Sequence, residues 1–137
     1  IWTSGAKGVV QSADEIVITA APDLASFRNT KNLVDVLSGS RPNDSPPVLV
    51  LNQFDPKISS VQPNQFVEHV GLRPQLVIGW EPQLFHTAAT NAAPILEVGP
   101  KTKTAQGLRD LTARVLGRTT APAERTKFSL AGLFRKR

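Results

Sequence analysis

Apolar residues gather in three short runs along the chain: "EIVITAA" (15–21), "VLVLN" (48–52) and "QLVIG" (75–79). Pro22-Asp23 follows the first run, and Pro46-Pro47 and Asp55-Pro56 flank the second, so the runs predict strands. None alternates polar with apolar positions. That predicts strands covered on both faces, the habit of a parallel sheet inside an α/β fold. Between the first two runs, "PDLASFRNTKNLVDVLSG" (22–39) has helical spacing. Asp23 is placed to cap its N-terminus, Leu24, Phe27, Val34 and Leu37 fall near one stripe, and Gly39 stands where a stop belongs. Strand, helix and strand then make a βαβ unit. Shorter helices are predicted over 64–71 and 82–91. A longer one is predicted over 103–117, with Leu108, Leu111, Val115 and Leu116 as its buried stripe. No strand is expected before about Glu15.

A parallel sheet sends all its carboxyl ends to one edge, and ligands of open α/β sheets bind outside that edge. Three polar or turn-forming groups should therefore emerge together: Pro22 and Asp23, then Asn52 and Gln53, then Trp80, Glu81 and Pro82. Asn52 offers both a donor and an acceptor, which suits the edge of a nucleobase. On residue type alone it is first of all the start of the turn that continues into Asp55-Pro56. The sequence leaves both readings open.

Composition narrows the class. Hydrophobic residues at 40% and charged residues at 20% fit a globular chain rather than a disordered one. The absence of cysteine excludes disulfides and thiolate metal sites and fits a cytoplasmic setting. No apolar run approaches the ~18 residues of a membrane span. With no methionine and Ile1 at the start, the chain is expected to be a piece of a longer protein. Charge is split along it. Residues 1–100 carry 6 basic and 9 acidic side chains, a balance of −3, whereas 101–137 carry 10 and 2, a balance of +8. This points to a basic tail with an acidic partner, or to a tail that only confers solubility. "RTTAPAERTK" (118–127) has linker composition, and in "FSLAGLFRKR" (128–137) the apolar Phe128, Leu130, Leu133 and Phe134 lie beside Arg135, Lys136 and Arg137. On a helical projection Leu130, Leu133 and Phe134 share a face, with Phe128 opposite. Such a tail is expected to meet an anionic membrane surface or a partner.

Self-contained catalytic chemistry is missing from the pattern. There is no G-x-x-x-x-G-K-[ST] and no G-x-G-x-x-G. "SGAKG" (4–8) lacks a hydroxyl after its Lys and follows no strand. His69 and His86 have no second ligand at metal-binding spacing, and no Ser sits in a nucleophile elbow. Asn43-Asp44-Ser45 fits a glycosylation acceptor but reads as a turn. No catalytic residue and no metal ligand is assigned, and this chain alone is expected to hold no cofactor and to hydrolyse no ATP.

The stretches "ADEIVITAAPDLASFRNTKNLVDVL", "RPNDSPPVLVLNQ" and "QLVIGWEPQLFHTAATNAAPILEV" resemble the CpaE/TadZ pilus-assembly proteins of the MinD/ParA superfamily of deviant P-loop ATPases. The resemblance spans roughly residues 2–118 and leaves 119–137 as a basic linker and tail. It implies the second half of a P-loop NTPase domain, a mainly parallel sheet with flanking helices. The phosphate loop and Mg²⁺-binding carboxylates would lie before residue 1, and Trp2 would stand near the family's Trp. ATP with Mg²⁺ is then the cofactor of the intact protein. Its base would be met by Asn52 and Gln53 and by the segment Trp80, Glu81, Pro82, which stands at the family's I-P-x-D. Gly79 replaces that Pro, Glu81 is longer than the usual Asp, His86 stands where Gly is common, and Ala89, Thr90, Asn91 and Ala92 replace a frequent A-N-N-G. The implied role is to assemble or position a Flp/Tad pilus or secretion machine. Its partners would be that machinery, a nucleotide-bridged homodimer and the anionic inner membrane, in the bacterial cytoplasm or at the cell pole. A nucleotide-independent scaffold and a DNA-partitioning ATPase are the rival expectations, the latter with nucleic acid as partner.

Overall fold

The computed structural model describes residues 4–117. Trp2 and the tail residues Phe128 to Arg137 lie outside them. Three strands, β1 (Val17–Ala20), β2 (Val48–Phe54) and β3 (Pro74–Gly79), pair in parallel in the order β1-β2-β3. Parallel neighbours need crossovers, and helices supply them. Helix α2 (Leu24–Ser40) joins β1 to β2. The short α3 (Pro63–Gln65), continued as a π-helical turn over Phe66–Val70, joins β2 to β3. Before the sheet lies α1 (Ser4–Ser12). After it come α4 (Pro82–Thr90), α5 (Ile95–Val98) and α6 (Lys103–Val115).

Val48, Leu49, Val50 and Leu51 are the most deeply buried part of the sheet, and successive side chains serve opposite faces. Leu49 and Leu51 join Ile18, Ala20, Val34, Leu37, Phe66 and Val70 in the main core under α2 and α3. Val50 joins Leu76 and Ile78 in a smaller cluster, against which Leu108 and Leu111 of α6 pack. Each fully buried aliphatic contributes about 1.5–3 kcal/mol. Cover on both faces holds for β2 only. In β1 Val17 and Thr19 are exposed, and in β3 Val77 is exposed, because no described helix lies over those positions.

Asp23 caps α2 as its sequence position suggests, its carboxylate accepting from the backbone N–H of Ser26 at 2.8 Å. The stripe is different from the one expected. Leu24 is exposed, and the hydroxyl of buried Thr30 is satisfied by the carbonyl of Ser26. Gly39 does not stop the helix, which runs through Ser40 and closes where Arg41 N–H donates to the carbonyl of Leu37. Arg41 also donates to the carbonyls of Val10 at 2.5 Å and Ala13 at 2.7 Å, at the C-terminal end of α1. A cation there offsets the partial negative charge of unsatisfied carbonyls. The "SGAKG" stretch is the start of α1.

The π-helical turn places Phe66 and Val70 on the core and ends at Gly71, whose φ of 80° is free of cost only for glycine. Ala92, closing α4, has φ 46° without being glycine, and Ala93 N–H donates to the carbonyl of Ala88 at 3.0 Å across that closure. A side chain in the left-handed region costs roughly 1 kcal/mol. Ala92→Gly is therefore expected to raise stability by about 0.5–1 kcal/mol in chemical denaturation; a loss of stability would show that this end is held by something other than backbone strain.

Helix α6 runs antiparallel to β3. Thr104, near its start, donates to Oε1 of Glu81 at 2.5 Å, and Arg114, near its end, reaches Oε1 of Gln75 at 3.2 Å. Its buried positions are Thr104 and Ala105, with Leu108 and Leu111 half-buried. Val115 and Leu116 are exposed, because the helix passes beyond the start of β3 before they occur.

Candidate functional site

Of the three strand ends expected at one edge, those of β2 and β3 meet, through an irregularity in β2. Leu51 pairs with Val77, but the next pair is Phe54 with Gly79, so β2 holds one residue more than β3 between them. The extra length is taken up at Asn52 and Gln53. Gln53 has φ 61°, which costs a non-glycine residue energy and turns its side chain out of the normal alternation. The Asn52 Oδ1 accepts from the backbone N–H of Gln53 at 3.0 Å, bracing that turn. An opposite slip between Leu49 and Val50 restores the register, so the ladder is otherwise continuous.

The following turn is organised by Asp55 and Ser59: Asp55 accepts from Lys57 N–H at 2.9 Å through its side chain and from Ser59 N–H at 2.9 Å through its carbonyl. The Ser59 hydroxyl accepts from Asp55 N–H at 3.0 Å. That turn takes no bond from Asn52, whose Nδ2 has no hydrogen-bond partner among the described residues.

On the β3 side, Trp80 N–H donates to the carbonyl of Phe54 at 3.0 Å and ties the two strand ends together. Pro82 then opens α4 at its first turn, where its missing N–H costs nothing. Between these ends lies a hollow of about 300 Å³, lined by Asn52, Gln53, Gly79, Trp80, Glu81, Pro82 and Phe85. Of the seven residues expected at this edge, Asn52, Gln53, Trp80, Glu81 and Pro82 line it. Phe85 was missed, although an aromatic three residues after Pro82, in the first turn of a helix following a strand end, is a signal that can be read. Pro22 and Asp23 share the sheet edge but not the hollow. Asp23 is committed to its cap, and the carbonyl of Pro22 accepts from Val61 N–H at 3.1 Å.

The lining suits a flat, uncharged ligand. Two aromatic rings and a proline offer apolar faces, and two amides offer polar contacts, the usual balance of a small-molecule site. Among the described residues Glu81 is the only charged one in the lining, and one of its oxygens is held by Thr104, which is 3% exposed. Glu81 thus positions the loop against α6. Among the described residues the lining holds no cation, so it offers little to a phosphate.

A second hollow, of about 270 Å³, lies at the opposite edge of the sheet beside Arg41 and the loop from Pro42 to Pro47. The three nitrogens of Arg41 are already spent on Val10, Ala13 and Asp44, so it has little to offer an anion. His69 is exposed on the π-helical turn with its ring edge-on to Phe27, and His86 is exposed on α4. Among the described residues no three metal-ligating side chains cluster, and no helix is long and apolar enough to cross a membrane.

No protein-family model and no curated protein matches this sequence. Among solved structures, a ParA family ATPase from Chlorobium tepidum TLS superposes with a TM-score of 0.67 over 81% of this chain and 46% of its own, at 19% identity. The MinD cell division protein of Aquifex aeolicus does so with a TM-score of 0.67 over 85% of this chain and 50% of its own, at 18% identity. The chain spans about half the length of these structures. The likeness is one of fold: a three-stranded parallel sheet with flanking helices, as in part of a ParA/MinD-like P-loop domain.

Proposed function

We propose that this chain carries the base-binding part of a nucleotide-dependent switch of MinD/ParA type. The intact protein, on this reading, assembles or positions a Flp/Tad-type pilus or secretion machine in the manner of CpaE/TadZ proteins. The observation that carries the reading is the hollow at the carboxyl edge of the sheet, where Asn52, Gln53, Trp80, Glu81 and Pro82 meet. The unpartnered Nδ2 of Asn52 donates to the edge of the base, and Gln53 supplies a second amide. Trp80 and Pro82 cover its face, and Glu81 holds their loop in place through Thr104. ATP with Mg²⁺ would supply the phosphoryl group whose hydrolysis switches the protein between states. Its phosphates need cations that this hollow lacks, and the resemblance assigns those to a preceding half. Pilus-machinery proteins, a second copy of the protein and an anionic inner-membrane surface are the partners this implies. The balance of +8 over 101–137 also favours a second reading, in which the basic tail docks a scaffold to membrane or machinery and nucleotide is dispensable.

Calorimetric titration of the intact protein with ATP and GTP separates the two. ATP is expected to bind more tightly, and Asn52→Ala to reduce that preference by about tenfold, since losing a base-edge pair costs about 1–3 kcal/mol. Equal affinities in the parent protein, unchanged by the substitution, would remove Asn52 from the site.

A further inference from the structure

We propose that the apolar segment 128–134 of this chain is the occupant of the hollow beside Arg41, a docking within one molecule that holds the basic tail against the body. It does not depend on the hollow at the opposite edge of the sheet.

The seat is preformed. Leu37 of α2, with Val70 and Leu72 at the end of the π-helical turn, gives it a floor of buried apolar side chains. Pro42, Pro46 and Pro47 fix the backbone of its rim. Arg41 ties that rim to the end of α1 through the carbonyls of Val10 and Ala13, and it pairs with Asp44, the other charged residue of the lining. A rigid concavity of about 270 Å³, apolar at its floor and with its two charges paired together, suits large apolar side chains. A receptor that needs no ordering loses less on binding than one built on unfixed loops.

The chain itself delivers them. Helix α6 runs antiparallel to β3 and so ends at the amino edge of the sheet, where this hollow lies. Arg114 reaches Gln75 there, and Gln75 is three residues from Leu72 in the floor, a separation of at most about 11 Å. Gly117 N–H donates to the carbonyl of Arg114 at 3.0 Å, so the chain leaves α6 beside Gln75. Residues 118–127 can then span up to about 33 Å, enough to pass round the sheet edge to the hollow. Phe128, Leu130, Leu133 and Phe134 follow, the only large apolar residues beyond Leu116.

Charge favours the same placement. Asp14 and Glu15 lie between Ala13, whose carbonyl Arg41 holds, and Ile16, which lines the hollow. Both are exposed, and among the described residues neither has an ion pair. They are placed to meet Arg135, Lys136 and Arg137, while Arg73 beside Leu72 repels that basic end from the other side. A short flexible link gives an effective concentration of order 1 mM, so a contact too weak to join two molecules is held within one. The docked tail is withheld from an outside acidic surface until that surface competes for it.

The test compares amide shifts of the ¹⁵N-labelled intact protein with those of a variant carrying Phe128→Ser, Leu130→Ser, Leu133→Ser and Phe134→Ser. The shifts are expected to differ at Ser38, Ser45, Gly71 and Leu72 and to agree at Gly79 and Trp80. The differences should survive about tenfold dilution, as contact within one molecule requires. A synthetic peptide of residues 128–137, added to the serine variant, is expected to restore the shifts with half-saturation at about 1 mM or below. Asp14→Lys with Glu15→Lys should raise that concentration at least about threefold. Ser38→Trp, at an exposed position of the lining, should abolish the restoration with far-UV circular dichroism unchanged. Shift differences confined to residues 112–117 would overturn the proposal, as would their loss on dilution. A peptide that binds the charge-reversed and Ser38→Trp proteins as well as their parent would overturn it too.

Discussion

Replacing Phe66 with alanine is expected to remove about 3–5 kcal/mol of stability, the largest effect of any single substitution considered. Phe66 is fully buried at the start of the π-helical turn, in the main core with Ile18, Leu49 and Leu51. Its ring meets that of Phe27 edge to face, with centroids 5.0 Å apart and planes at 83°. Such a pair is worth about 0.5–1.5 kcal/mol beyond the area it buries. The loss also includes a cavity, because α2 and the sheet are fixed on either side and cannot close over it. Against the ~5–15 kcal/mol of a typical domain, this leaves the chain marginal or unfolded. Guanidinium denaturation measures it, with Phe66→Leu as the control that should recover more than half of the loss. A cost below about 1 kcal/mol for the alanine variant would mean that α3 is not part of the core as described.

Gly107→Leu comes next, at about 3 kcal/mol. A Cβ at Gly107 would overlap Cδ1 of Leu76, so α6 lies directly on β3. Alanine there can be met by rotating the Leu76 methyl, and its better helix propensity, worth about 1 kcal/mol, offsets part of that cost. Leucine cannot be met in that way. Overpacking usually costs about 1–3 kcal/mol and occasionally more, and here the helix must lift. Lifting α6 also separates Thr104 from Glu81, so base binding should weaken along with stability. A double-mutant cycle with Leu76→Ala is the check. Strong coupling, in which the second change restores part of the loss, is expected for residues in direct contact, and additive costs would place Gly107 elsewhere.

The sequence makes some of this visible and hides the rest for physical reasons. The three apolar runs, the Asp23 cap and the meeting of Asn52 with Trp80 follow from periodicity and from the rule that parallel strands share a carboxyl edge. Hidden were features that periodicity does not encode. The extra residue at Asn52–Gln53 is a property of the pairing with β3, and neither strand announces it alone. Leu24 fits the stripe of α2 by spacing, yet it is exposed, because spacing does not tell where the surface it would pack on ends. Exposure of Val17 and Val77 depends on which helices lie above them, which an unbroken apolar run cannot tell. Helix α1 opens with Gly5 and Gly8, poor helix formers, and Arg41 braces its far end from 28 or more positions downstream. Ala92 shows the reverse case. The resemblance places a glycine there, and the φ of 46° supplies the reason.

The central claim, that the hollow between the ends of β2 and β3 receives a nucleotide base, is tested most directly by amide and indole shift mapping of the ¹⁵N-labelled intact protein on addition of ATP. The account predicts saturable shifts at Gln53, at the side-chain amide of Asn52, at Gly79 and at the Trp80 indole, with the residues around Arg41 undisturbed. Shifts centred on Arg41 and the Pro42–Pro47 loop, or a saturating ligand that leaves Asn52 and Trp80 unmoved, would contradict it.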